Sequence, residues 1–275
     1  MHSPPPQLEP FVETAIAAAD AARRVTAGYF RAGLVVASKD DRTPVTVADR
    51  ETEQRVRDLI LARHPAHSFL GEETGSADND GEWRWVIDPI DGTKSFATGN
   101  PTFGTLIALL HRSRPVIGII DHAALDERWV GVTGRATTHN GAPCTTSAVE
   151  RLADGSIYTT TPDMFVGRAL ARFNRLSGAF RFRVFGGDCY CYGLLASGFT
   201  EAVCEARMNP HDYMALVPVV EGAGGVITDW RGEALALTSN AGGEVLAAAN
   251  GALHQAALAC LNQSTRVGTR AKGKA

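Results

Sequence analysis

Apolar positions recur every three or four residues across 8–30. Phe11, Ala15, Ala18, Ala19 and Ala22 share one side, with Glu9 and Glu13 near the favourable positive end. That spacing predicts a long first helix. A second amphipathic helix is expected over 49–62, with Val56, Ile60 and Leu61 on its apolar side. Between them, 35–37 reads as a short strand, and 67–70 as another leading into Gly71-Glu72-Glu73-Thr74-Gly75. Residues 76–82 read as a polar loop. The pattern then turns to β, with strands near 84–88, 103–110, 114–121 and 126–132, the last two antiparallel neighbours. His139-Asn140-Gly141 is a turn signal. Beyond residue 151, strands at 156–160, 180–185, 201–205, 226–230 and 245–249 alternate with helices at 166–177, 190–196, 213–223 and 253–262. Gly224-Gly225 supplies a helix C-cap. No internal repeat is visible. The alternation implies a layered α/β sandwich of two halves, 1–150 and 151–264, followed by a disordered tail over 265–275.

Composition narrows the function classes. The chain has 275 residues, 44% hydrophobic and 21% charged, as in ordinary soluble globular proteins. A net charge of −3 gives no electrostatic reason to expect nucleic acid or an anionic membrane. No run approaches the roughly 18 apolar residues of a membrane helix, and the opening Met1-His2-Ser3-Pro4-Pro5-Pro6 lacks the features of a signal peptide. The five cysteines, Cys144, Cys189, Cys191, Cys204 and Cys260, form no metal-like CxxC pairs. They fit a reducing, cytoplasmic setting.

The chemistry concentrates in Trp85-Val86-Ile87-Asp88-Pro89-Ile90-Asp91-Gly92-Thr93-Lys94-Ser95-Phe96. A buried strand is expected to deliver Asp88 to its end, where Pro89 stops the ladder. Asp88 and Asp91 then converge beside the free N–H groups of a helix start. Carboxylates gathered beside an anion-binding helix start would repel a phosphate unless divalent cations lie between them. Asp49, Glu72 and Asp212 also stand at element ends. Each has a simpler role open to it: Asp49 and Asp212 as helix caps, Glu72 as a loop charge, Asp88 and Asp91 as a capped turn. Taken together, the five favour a Mg²⁺-bridged phosphate site.

Gly71-Glu72-Glu73, then Asp88-Pro89-Ile90-Asp91-Gly92-Thr93, then Asp212 ahead of Glu221-Gly222-Ala223-Gly224-Gly225, resembles the inositol monophosphatase-like superfamily. The resemblance spans roughly residues 10–262 and implies a five-layer αβαβα sandwich and a lithium-sensitive, Mg²⁺-dependent phosphomonoesterase, homodimeric as in relatives. Within the superfamily, the stretches from Thr93, Phe103, Phe185 and Asp212 are most similar to histidinol-phosphate phosphatases, which act in histidine biosynthesis. The resemblance implies two or three Mg²⁺ ions per site. Glu72, Asp88 and the Ile90 carbonyl would hold the first, and Asp88, Asp91 and Asp212 the second. A third, weaker ion would lean on Glu72. Thr93, oriented by Asp49, would position the attacking water, and the N–H groups of Gly92 and Thr93 would bind phosphate. Thr46 and Lys39 precede the Asp49 helix as in relatives, Lys39 reading best as a solvated loop lysine.

Substrate preference is expected from the second half. Glu205 aligns where relatives contact the leaving alcohol, and Gly186, Gly187 and Asp188 form a pocket-lining turn. His211 stands where inositol-type enzymes carry Trp, and is either a substrate contact or a packing residue. An added carboxylate at Asp188 suits a leaving group with cationic nitrogen, such as histidinol. Capping of the helix from Cys189 is the competing role. Alternatives are a broader inositol-1-phosphate or polyol phosphatase, and a catalytically silent phosphate-binding protein. A dehalogenase-type phosphatase is excluded by the three-residue step between Asp88 and Asp91, and a cysteine phosphatase by the lack of a thiolate loop ending in Arg.

Overall fold

The computed structural model describes residues 7–32, 37–38, 44–237 and 243–263. Lys39, the tail 265–275 and most of the strand expected over 35–37 lie outside them. Helix α1 is Glu9–Tyr29, and the short strands β1 (Ala37–Ser38) and β2 (Pro44–Val45) pair antiparallel before α2, Val47–Arg63. Next come β3 (Ser68–Gly71), β4 (Gly75–Ala77), β5 (Trp83–Asp91) and the short helix α3, Thr93–Thr98. Strands β6 (Gly104–His111), β7 (Arg114–His122), β8 (Glu127–Val132), β9 (Thr138–His139) and β10 (Ala142–Pro143) follow as a meander. The later elements are β11 (Ser156–Thr159), α4 (Arg168–Gly178), β12 (Phe182–Phe185), α5 (Tyr190–Ala196) and β13 (Ala202–Glu205). The chain then runs through α6 (Pro210–Tyr213), α7 (Leu216–Gly222), β14 (Val226–Thr228), β15 (Val245–Ala248) and α8 (Gly251–Asn262).

These strands form an eight-stranded sheet in the order β10-β9-β8-β7-β6-β5-β3-β4 and a five-stranded sheet in the order β12-β11-β13-β15-β14. Period-two alternation assigns each face. Trp85, Ile87, Ile107 and Leu109 pack under α1 and α2, whereas Val86, Leu106, Ala108 and Leu110 face the opposite way, onto α5 and α7. In the second sheet, Val203, Val245 and Ala247 join that same middle layer, while Ala202, Cys204, Leu246 and Ala248 face α4 and α8. The layers are therefore αβαβα, as the resemblance implies. Each buried Ile or Leu contributes roughly 1.5–3 kcal/mol, and a slip of one residue would turn every one to the wrong face. Register is thereby fixed. The middle layer lies close to the sheet: a Cβ on Gly118 would sit 2.0 Å from the Ala215 carbonyl oxygen.

Several expectations need correction. Pro89 does not end β5. Pairing with β6 runs to Asp88↔Leu106 and resumes at Asp91↔Gly104, so one extra residue bulges out. A bulge needs no ladder donor from proline, which is why it is tolerated there. The polar loop over 76–82 begins as β4, paired to β3. The helix expected over 213–223 is two pieces, α6 and α7, with Gly224 at φ +98 closing the second. Among the described residues no helix is long and apolar enough to cross a membrane.

Candidate active site

The β5 bulge gathers the first acids. The Asp88 Oδ1 accepts from the Ile90 N–H at 3.0 Å, curling the chain back on itself. The Ile90 side chain anchors the bulge in a small cluster with Ala48, Phe96 and Phe103. Its carbonyl oxygen accepts from the Thr93 hydroxyl at 3.2 Å. Gly92, at φ +80, makes the left-handed step into α3 that an L side chain would resist.

From α2 comes Asp49, which is not the helix cap. Thr46 is the cap, and Asp49 closes a capping box, its Oδ2 taking the Thr46 N–H at 2.7 Å and hydroxyl at 2.6 Å. The other oxygen, Oδ1, lies 3.4 Å from the Thr93 hydroxyl. Burial pushes the Asp49 carboxyl upward, against its bonds from Thr46. Asp212 likewise lies inside the first turn of α6 rather than capping it: Asn209 is the cap, and its N–H donates to Asp212 Oδ2 at 2.6 Å.

Oxygens of Asp88, Asp91 and Asp212 all lie within 4.8 Å of one another, and a second group of the same span joins Glu72, Asp88 and His211. Four sequence-predicted acids from three separated segments thus converge around Asp88, which belongs to both groups. Burial raises the carboxyls of Asp88 and Asp91 well above the usual range. The negative neighbours Glu72, Asp91 and Asp212 add to it at Asp88, and Asp188 and Asp212 at Asp91. Asp212 is also raised by burial, offset first by His211, whose Nε2 is 3.2 Å from Asp212 Oδ1. Hard oxygen donors concentrated in this way fit Mg²⁺. His211 is thus placed on the acid cluster rather than in packing alone.

The remaining predicted residues form the adjoining wall. Gly186 and Gly187, at φ +88 and +112, make the turn between β12 and α5. Asp188 follows at φ +45, and its side chain does not cap α5. Instead Oδ2 accepts from Ser95 at 2.5 Å and Thr102 at 3.1 Å, and the carboxylate lies against Gly92. Burial raises its carboxyl, these two bonds opposing. The N–H of Cys189, the residue that caps the start of α5, donates to Asp91 Oδ2 at 2.6 Å. Glu205 is only 3% exposed. Its oxygens take the Thr160 N–H at 3.0 Å, the Thr160 hydroxyl at 2.5 Å and the Tyr192 hydroxyl at 3.0 Å. Burial raises this carboxyl too.

Sequence reasoning missed the supports: Ser95 and Thr102 on Asp188, Thr160 and Tyr192 on Glu205, and Glu53. Only Glu53 left a signal. It continues the buried spacing 49, 53, 56, 60, an acid on the face that Val56 and Ile60 turn to the core.

A model of the Inositol monophosphatase family matches residues 7–266. The chain belongs to the inositol monophosphatase family. It is accordingly a phosphoric monoester hydrolase. The bifunctional phosphatase IMPL2 of Arabidopsis thaliana, a chloroplastic protein, is 42% identical over 93% of this chain and 76% of its own. A histidinol-phosphatase of Mycobacterium tuberculosis is 36% identical over 90% of this chain and 96% of its own. The structure of an inositol monophosphatase from Zymomonas mobilis superposes with a TM-score of 0.86 at 38% identity, covering 94% of this chain and all of that one. Family members with both substrate names are thus similar to this chain.

Proposed function

We propose that this family member is a Mg²⁺-dependent phosphatase of L-histidinol phosphate. The observation that carries the choice of alcohol is a second pair of acids, Asp188 and Glu205, beside the metal-suited cluster and in electrostatic contact with each other. Neither belongs to the groups that could hold the ion. Two carboxylates along the leaving-group wall favour an alcohol bearing cationic nitrogen over a neutral polyol.

Glu72, Asp88, the Ile90 carbonyl, Asp91 and Asp212 would hold the cations. Bound there, Mg²⁺ supplies Lewis acidity at the phosphoryl oxygens and a water activated at neutral pH. The chain's own residues do the rest. With the Ile90 carbonyl taken up by the cation, Thr93 would turn its hydroxyl hydrogen from that oxygen to Asp49 Oδ1, leaving Oγ1 to accept from the attacking water. Asp49, with Oδ2 committed to Thr46, can receive the Thr93 hydroxyl proton at Oδ1 as Oγ1 takes one from the water. The water oxygen bonds phosphorus as the P–O bond to the alcohol breaks, and the departing alkoxide takes up a proton to leave as the alcohol. The N–H groups of Gly92 and Thr93 orient the phosphoryl oxygens. No covalent nucleophile is needed.

The structural likeness to an inositol monophosphatase favours a second reading, hydrolysis of myo-inositol 1-phosphate. Phosphate release from the two substrates, offered side by side to purified protein with Mg²⁺, separates the readings. A clear preference in kcat/KM for histidinol phosphate is expected, and a preference for inositol phosphate would overturn the assignment.

Metal removal should be visible in stability. Because the Asp88 and Asp91 carboxyls are raised, the metal-free folded protein holds protons that the unfolded chain has lost. The contribution of these two carboxyls to stability therefore falls as pH climbs above about 4 toward neutrality. Mg²⁺ at about a hundred times its dissociation constant should return roughly 2.7 kcal/mol, or about 5–10 °C in Tm. At one fixed Mg²⁺ concentration the gain should be larger near pH 7.5 than near pH 5.5, where the protonated carboxyls weaken the cation's binding. Thermal melts with EDTA and with Mg²⁺ at both pH values check this, and a gain independent of pH would count against it.

A further inference from the structure

Glu53 lies one turn beyond Asp49 on α2, so both side chains leave the helix on one face. It is completely buried, and it is not part of the acid cluster. Its two oxygens collect three donors from one short turn. Oε2 accepts the Glu73 N–H at 2.8 Å, and Oε1 accepts the Thr74 N–H at 2.7 Å and the Thr74 hydroxyl at 2.5 Å. Thr74 Oγ1 in turn accepts from Arg57 Nη1 at 2.8 Å. That turn joins β3 to β4 and carries Glu72.

Gly71 shows how tightly the carboxylate is seated. A Cβ there would lie 2.3 Å from Glu53 Cδ and Oε1. The φ of Gly71 is not positive, so its conformation would admit other residues. Glycine is required because the Glu53 carboxylate occupies the space a side chain would need. Glu53 and Gly71 are thus matched parts of one clamp.

We propose that Glu53 is a positioning residue that sets cation affinity by fixing the turn from which Glu72 reaches Asp88 and His211. This rests on the reading of Glu72 as a Mg²⁺ ligand. A single helix face then serves both sides of the site: Asp49 orients Thr93, and Glu53 holds Glu72 in place.

Glu53→Gln keeps the shape but puts an NH₂ donor against one of the three donors of the turn. Its apparent Mg²⁺ dissociation constant should rise about 10–100-fold, measured by titration calorimetry and by Mg²⁺-dependent shifts in Tm. Raising Mg²⁺ should restore most of the turnover. Gly71→Ala should weaken Mg²⁺ binding similarly, with little further loss in the double variant. Should Glu53→Gln fail to fold, Thr74→Val removes only the hydroxyl's bond to Glu53 and the bond it accepts from Arg57, leaves both N–H bonds to Glu53 in place, and should weaken Mg²⁺ about two- to tenfold. Glu72→Gln is measured in parallel. If it leaves Mg²⁺ affinity unchanged, the metal reading falls and the positioning role with it. If Glu72→Gln weakens Mg²⁺ while the Glu53 and Thr74 variants lower only the metal-free Tm, the reading stands and the positioning role is overturned.

Discussion

Asparagine in place of Asp91 is expected to reduce turnover by about a thousandfold or more at saturating Mg²⁺, since in the proposed mechanism several kcal/mol of charge stabilisation would depend on bound cations. The substitution is conservative in shape. Asparagine retains an oxygen for the Cys189 N–H, so α5 stays seated on the β5 bulge. What is lost is one of three negative charges within 4.8 Å of one another. Removing it also relieves the repulsion from Asp188 and Asp212 that raises the Asp91 carboxyl. The metal-free variant should therefore melt at the wild-type temperature or above it near neutral pH, while its gain from Mg²⁺ shrinks. Phosphate release and paired melts test both halves of the expectation. Near-normal turnover with saturating Mg²⁺ would remove Asp91 from the metal site.

Asp188→Ala is the second large effect, and it acts on selectivity. Loss of the charge-assisted contact proposed between Asp188 and the substrate's cationic nitrogen, worth roughly 1.5–3 kcal/mol, should lower kcat/KM for histidinol phosphate about 10–150-fold. Turnover of inositol 1-phosphate should change by only about threefold, because a neutral polyol has no cation to pair with the carboxylate. The alanine variant also frees Ser95 and Thr102, both bonded to Asp188 Oδ2. Asp188→Asn separates the two roles: it can keep an acceptor for these hydroxyls while removing the charge. The charge reading requires Asn to be nearly as harmful as Ala toward histidinol phosphate. Equal losses on both substrates from either variant would make Asp188 a brace for the start of α3 and nothing more.

Much of this was legible in the chain. Helices α1 and α2 and strands β5 to β8 follow from apolar spacing alone, because each buries one regular face against a single layer. The acids from 72, 88, 91 and 212 could be singled out because charges at the ends of apolar runs are costly without a purpose. Their meeting was implied by the family resemblance rather than by spacing, since Asp212 lies more than a hundred residues from Asp91. The misreadings have local causes. Proline at 89 signals a strand end, yet a bulge meets the same steric demand and lets the ladder resume. For Asp49 and Asp212 the capping role weighed beside the metal reading falls away, because Thr46 and Asn209, three residues earlier, take it. Asp188 was open to a capping role, and nothing local to residue 188 reveals Ser95 and Thr102 waiting across the fold. Glu53 went unread because a glutamate on a helix is normally solvated, and only its register betrays it.

The 2.6 Å bond from the Cys189 N–H to Asp91 has a consequence for how such a protein can diversify. It ties the turn at 186–188, which borders the leaving group in the proposed reading, to a carboxylate of the acid cluster. Lengthening or re-routing that turn to admit a different alcohol would drag Asp91 with it. Side-chain exchange at 188 leaves the main-chain link untouched. Descendants with new tastes should therefore arise by redecorating this turn and seldom by rebuilding it, so that old chemistry survives beneath changing preference.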